Sequence, residues 1–193
     1  MNIPLHEIQA AIKAEKLDGW LLYDFHGSNP IARELAVLEG FVSRRWFCWV
    51  PRDGDLTIIH HTMERAPFDH LSGNHRHYLG WPQLDAILRD TLGNVKRIAM
   101  EYSPDNAIPY VARVDAGTID KIRGWGIEVA TSADLVGQFL ACCTRNQIAG
   151  HRRAAEALIQ IKNEAFNLIA SAVRDERTLT EYDALSSWLI NSP

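Results

Sequence analysis

A short apolar run that ends in a polar loop and restarts as a helix constrains this chain most. Gly19–Tyr23 reads GWLLY, brief and continuous enough for a buried strand. It runs into Asp24-Phe25-His26-Gly27-Ser28-Asn29-Pro30, the composition of a loop that closes a strand. Pro30 suits the first turn of a helix, where its missing N–H costs nothing, and Ile31–Leu38 reads as that helix. Loops of this kind are where α/β domains commonly place function. Asp24, His26 and Asn29 are therefore candidates for facing a cleft at the sheet edge. A local reading stands beside it: Ser28 or Asn29 caps the helix, and Asp24 ties down the loop. The residues alone leave both open.

The rest of the chain repeats the alternation. Leu5, Ile8 and Ile12 recur at helical spacing, which predicts a surface helix over 4–16. Strands are predicted over Arg45–Pro51 and Leu56–His61, joined by a hairpin turn at Asp53-Gly54-Asp55. A helix is expected over Thr62–Leu71, a strand over His75–Gly80 and a helix over Trp81–Leu92. Arg97–Tyr102 reads as a strand, Pro109–Val114 as the start of a short helix and Thr118–Trp125 as a helix. Ile127–Ala130 is a strand candidate, with Ser132 as the cap of a helix over Ala133–Leu140. Strands alternating with helices give an α/β fold, and the hairpin makes its β-sheet mixed, with helices flanking it.

From Asn146 to Arg174 the pattern becomes one long amphipathic helix, with Ile148, Ala155, Ile159, Phe166, Ile169 and Val173 on one face. Thr178 and Glu181 read as the capping box of a second helix, whose stripe is Tyr182, Leu185, Trp188 and Leu189. The expected organisation is an α/β domain over 1–141 and a helical pair over 142–193.

Composition narrows the function. The formal net charge of −4 argues against nucleic acid as the main partner. No apolar run is long enough for a membrane span, and the amino-terminus has no signal-like core. Cys48, Cys142 and Cys143 form neither a disulfide framework nor a zinc spacing, which suits a cytoplasmic protein. His60 and His61 alternate to opposite faces of a strand, while His75 and His77 share one, with no third ligand at a supporting spacing. The His75/His77 pair reads as solvated imidazoles. Glu101 is either an acid–base group or a turn anchor. The six tryptophans read as core. Arg44-Arg45 before Trp46 could grip a carboxylate bidentately or stand solvated at the start of a strand.

Several stretches in order carry a resemblance: LLYDFHGSNPIAR at 21–33, SRRWFCWVP at 43–51 and AMEYSPDNAIPYVARVDAGT at 99–118, then EVATSADLV at 128–136, HRRAAEAL at 151–158 and TEYDAL at 180–185. Together the chain resembles the amino-terminal half of the creatinase/prolidase/aminopeptidase P metallopeptidases, nearest to bacterial Xaa-Pro aminopeptidase-like members. His26 departs from the Arg expected in many relatives. The resemblance implies a creatinase/prolidase-type amino-terminal domain, with the helical pair beginning a pita-bread catalytic domain that is missing here. It implies a two-metal centre (Mn, Co or Zn) held by two Asp, one His and two Glu beyond this chain, so no metal ligand or catalytic residue carries over. The chain alone is then expected to be inactive. It would support a homo-oligomer, a dimer in the first instance, and shape access of a peptide substrate in a full-length form. Asp24, His26, Asn29, Arg44 and Arg45 are the substrate-access candidates. The alternative is a naturally short assembly or small-molecule-binding module.

Overall fold

The computed structural model describes residues 4–191, with side chains described through Ser186. The chain divides into two units at residue 142. The first is built on six strands: β1 (Gly19–Asp24), β2 (Trp46–Pro51), β3 (Thr57–His61), β4 (Asn74–Tyr78), β5 (Arg97–Met100) and β6 (Glu128–Thr131). Their order across the sheet is β4-β3-β2-β1-β5-β6. β1 pairs antiparallel with β2, and β2 with β3. β3–β4, β1–β5 and β5–β6 are parallel, so the sheet is mixed.

Alternation along the strands sorts the core into two layers. Trp20, Leu22, Cys48, Val50 and Ile58 face one side, which is covered by α1 (Leu5–Ala14), α2 (Pro30–Leu35) and α5 (Ala133–Phe139). Leu21, Phe47, Ile59, Ile98 and Met100 face the other, which is covered by α3 (Trp81–Leu92) and α4 (Ala116–Gly124). Each fully buried Leu or Ile contributes roughly 1.5–3 kcal/mol, so the two layers account for the unit's cohesion. Gly19 lets β1 and β2 close up, since a Cβ there would lie 2.2 Å from the Trp49 ring.

Several expected elements are corrected. Thr62–Leu71 is not an α-helix, and only Ala66–Phe68 forms a 3-10 turn. Pro67 lacks a donor N–H, Thr62 N–H bonds instead to the Tyr78 carbonyl, and Phe68 is drawn into the core. Pro109–Val114 forms turns, because Arg113 and Val114 N–H both return to the Glu101 carbonyl. Trp81 stands 68% exposed instead of in the core.

The second unit holds α6 (Arg145–Arg174) and α7 (Glu181–Asn191), which contact one another. Thr144 and Gln147 form the capping box of α6. The box of α7 uses Thr180 and Asp183, not Thr178 and Glu181: Thr180 Oγ1 accepts from Asp183 N–H, and the Asp183 carboxylate accepts from Thr180 N–H. Ile159, Phe166, Val173, Tyr182 and Leu185 are exposed, and Ala165 and Ala172 are buried. The predicted stripe residues Trp188 and Leu189 lie outside the described side chains.

Candidate functional site

β1, β3, β4, β5 and β6 all end at one end of the sheet, and β2 begins there. This end carries the Asp24–Pro30 loop, the Arg44-Arg45 pair and the loop after β5. It has a buried polar layer beneath an exposed rim.

The buried layer centres on three side chains, each fully enclosed: Asp24, Asn29 and Glu101. Asp24 Oδ1 accepts from Asn29 N–H at 2.9 Å, and Oδ2 accepts from Gly27 N–H and Trp46 Nε1 at 3.2 Å. Arg33 Nη1 lies 3.8 Å from the same carboxylate. Asn29 caps α2 by accepting from Ala32 N–H through Oδ1. Its Nδ2 donates to the Tyr23 carbonyl and to Glu101 Oε2, both at 2.7 Å. Glu101 Oε1 accepts from Trp20 Nε1 at 2.6 Å and from Ser132 Oγ at 3.3 Å. Burial pushes the Glu101 carboxyl up to about 7, although the Trp20, Asn29 and Ser132 donors pull it down. Ser132, expected as a helix cap, makes no side-chain capping bond because its hydroxyl serves Glu101.

Asp24 and Asn29 therefore do not face an open cleft. They take the local reading, fixing the loop from beneath. His26 is exposed, with a left-handed backbone (φ 57), between the rings of Phe25 at 4.6 Å and Phe41 at 5.3 Å. Arg44 pairs with Glu64 at 3.4 Å, and the Glu64 carboxylate also accepts from the Ser43 and Arg44 N–H groups. Burial acts to raise Glu64, but these donors and the Arg44 charge outweigh it and hold the carboxyl below its usual range. Arg45 lies over the Phe25 ring at 5.8 Å and, among the described residues, has no ion-pair partner. It also lines a cavity of about 160 Å³ with Phe47, Asp85, Asp115 and Lys121. Arg44 is thus committed to an internal carboxylate, while Arg45 is available.

The exposed large apolar side chains of the first unit, among the described residues, gather on this rim. They are Phe25, Phe41, Met63, Leu79, Trp81, Ile108 and Tyr110. Each sits in a segment that follows β1, β3, β4 or β5, or precedes β2. Sequence reasoning missed this, because spacing does not reveal which loops share an end.

It also missed the third imidazole. The β3–β4 register places His60 opposite His77. The His60 ring lies 4.5 Å from His77 and 5.8 Å from His75, so these are not isolated surface histidines. His60 is fully buried and stacks on Phe68 at 4.8 Å. Even so, no group of three or more His, Cys, Asp or Glu among the described residues is arranged to hold a metal ion. The two-metal centre implied by the resemblance does not fit the residues described.

No family model matches the sequence, and no curated protein matches it. Solved structures do. A prolidase from Pyrococcus horikoshii matches with a TM-score of 0.54 at 14% identity, over 95% of this chain and 46% of its own. A prolidase from Thermococcus sibiricus matches with a TM-score of 0.56 at 13% identity, over 86% of this chain and 44% of its own. This chain thus spans under half the length of the prolidases it matches. The creatinase/prolidase amino-terminal domain of an X-Pro dipeptidase from Streptococcus pyogenes is covered completely, over 72% of this chain, with a TM-score of 0.52 at 15% identity. No helix among the described residues is long and apolar enough to cross a membrane. The mixed six-stranded sheet with helices on both faces is the creatinase/prolidase amino-terminal domain fold.

Proposed function

We propose that this chain is the non-catalytic amino-terminal portion of a metal-dependent Xaa-Pro aminopeptidase or dipeptidase-like hydrolase. Its rim shapes substrate access to a catalytic domain, and the chain supports association into a dimer. The observation that carries this reading is the gathering of exposed aromatic and aliphatic side chains at one end of the sheet, beside His26 and Arg45, which has no ion-pair partner among the described residues. Exposed apolar side chains gathered at one end of a domain are the kind of surface that meets a partner or ligand. Asp24 and Asn29 serve access indirectly by holding the loop, and Arg44 by fixing the turn before β2. The exposed apolar residues of α6 and α7 are a second association surface, suited to an isologous contact. The three free thiols fit a reducing compartment, which supports a cytoplasmic location.

The test is kinetic. In a protein joining this chain to a catalytic domain, His26→Ala and Arg45→Ala should change KM or kcat for an Xaa-Pro peptide several-fold, at an unchanged melting temperature. The chain by itself should show no turnover with manganese, cobalt or zinc. Unchanged kinetics with a lowered melting temperature, or metal-dependent turnover by the chain alone, would overturn the reading.

A further inference from the structure

We propose that the His60, His75 and His77 cluster is an acid-sensitive latch. It holds segment 62–71 against the sheet when His60 is neutral and releases that segment, together with the Arg44 turn, when His60 gains a proton. This concerns the fold and stands whether or not the rim faces a substrate.

The latch begins with one nitrogen. His60 Nδ1 lies 3.1 Å from the His61 carbonyl, which can only accept, so Nδ1 carries the ring's proton. Nε2 is then bare, and it is buried without a hydrogen-bond partner among the described residues. A neutral ring tolerates this position, because an unshared lone pair costs less than an orphaned N–H. A second proton on Nε2 would create a buried donor, with a charge, that has nothing to donate to. The ring could keep that proton only by turning toward water, which means leaving its stack on Phe68.

The surrounding charges push the same way. His77 and His75 of β4 face the ring, and each opposes a positive charge on it once protonated. Cys48, on the same face of the sheet, is held neutral by burial, its thiol pushed up to about 12. The His61 carbonyl and the Asp69 carboxylate act to favour the charge, but Asp69 is exposed and paired with Arg65 at 3.2 Å. Burial, the leading effect, lowers the proton affinity of His60.

The ring is connected to the segment it would release. Phe68, fully buried, is the segment's anchor. His75 Nε2 donates to the Leu71 carbonyl at the segment's far end. Thr62 N–H and its hydroxyl donate to the Tyr78 carbonyl at the near end. Glu64 in between receives both N–H groups of the Ser43–Arg44 turn. Losing the Phe68 stack therefore loosens Glu64, and with it Arg44.

The sign follows. With its folded proton affinity below the ordinary value near 6.5, His60 costs nothing at higher pH, where both states are neutral. As pH falls below about 6.5, the open state takes up the proton first and gains population. Hydrogen exchange read by mass spectrometry on the intact chain at about pH 7.5 and about pH 5.5, corrected for intrinsic rates, tests this. Amides of 62–71 and of Ser43–Arg44 should exchange on the order of five-fold faster at the lower pH, while β1 and β5 stay unchanged. His60→Phe, which keeps the stack without a titrating group, should abolish the difference. Equal rates at both pH values in the native chain, or a pH response that survives His60→Phe, would overturn the latch. Should that variant not fold, NMR titration of the native imidazoles decides the matter: a His60 ring that titrates at or above the ordinary value, with segment 62–71 unperturbed, overturns it equally.

Discussion

Glu101 and His60 are both fully enclosed on the same face of the same sheet, yet their surroundings differ in kind. Glu101 receives donors on both oxygens, from Trp20, Asn29 and Ser132. His60 has one nitrogen bonded and one with no partner among the described residues. The two are joined side by side, because Trp46 donates to Asp24 on one side and packs its ring 5.5 Å from Phe68 on the other. Around Glu101 the β1–β5–β6 half is thus a satisfied polar cluster, which rigidifies a core, although Arg33 Nη1, 3.8 Å from Asp24, is buried at its edge without a hydrogen-bond partner among the described residues. The β3–β4 half is held by stacking and shape, which a single proton can disturb. A rigid loop platform next to a releasable segment is the lesson of the contrast.

Asn29→Ala should show the largest effect. It deletes the α2 cap and both Nδ2 bonds, leaving the Tyr23 carbonyl and Glu101 Oε2 buried without their partner. A cap is worth about 1 kcal/mol, and each buried group left unsatisfied costs about 1–3 kcal/mol, so a loss of roughly 3–5 kcal/mol is expected. Urea denaturation of the variant measures it. A loss under about 1 kcal/mol would mean that water enters and replaces Asn29, and the claim of a rigid half would fail.

The pH dependence separates the two halves by sign. The Glu101 carboxyl is raised to about 7 from 4.5, so the folded state binds its proton more tightly than the unfolded chain does. Its stabilising contribution is full below about 4.5 and is lost as pH rises through about 7. His60 runs the other way, losing stability as pH falls below about 6.5. Glu101→Gln should flatten the fall in melting temperature between pH 5 and 8, while lowering stability by about 1–3 kcal/mol through a misplaced amide. His60→Phe should leave the Glu101 slope intact. A Glu101→Gln profile parallel to that of the parent chain would show that Glu101 stays ionised in both states.

The strands were legible because each is a local apolar run bounded by turn residues, and β1, β2 and α3 fall within a residue of their expected limits. Fold class followed from the alternation alone. The site was legible only where its residues are neighbours in sequence: Asp24 and Asn29 as loop tie and helix cap could be read from capping preferences. Glu101 could not be resolved, since its donors lie 81, 72 and 31 residues away. The His60–His77 contact depends on a parallel register that no local pattern encodes. The Thr62–Leu71 helix fails for a related reason: the Thr62 N–H goes to the Tyr78 carbonyl of β4, Pro67 has no N–H, and Phe68 is drawn into the core.

The smallest expected effect concerns the rim itself. His26 holds a left-handed backbone, φ 57, which costs a residue other than glycine about 1 kcal/mol. In return its ring meets Phe25 and Phe41 edge-on in an exposed position. Such ring pairs are worth about 0.5–1.5 kcal/mol when enclosed, and less in water. His26→Gly relieves the backbone and removes the imidazole with its two ring contacts, so its net change in stability should lie within about 0.5 kcal/mol. His26→Ala removes the imidazole and keeps the strain, and should fall below the glycine variant by about 1 kcal/mol. Thermal melts of the two variants beside the parent chain rank them. With that ranking, the imidazole adds little to the fold, as the proposed access role expects. A His26→Gly loss above about 1.5 kcal/mol would instead make the aromatic stack part of the loop's own support, joining rim and buried network into one stabilising unit.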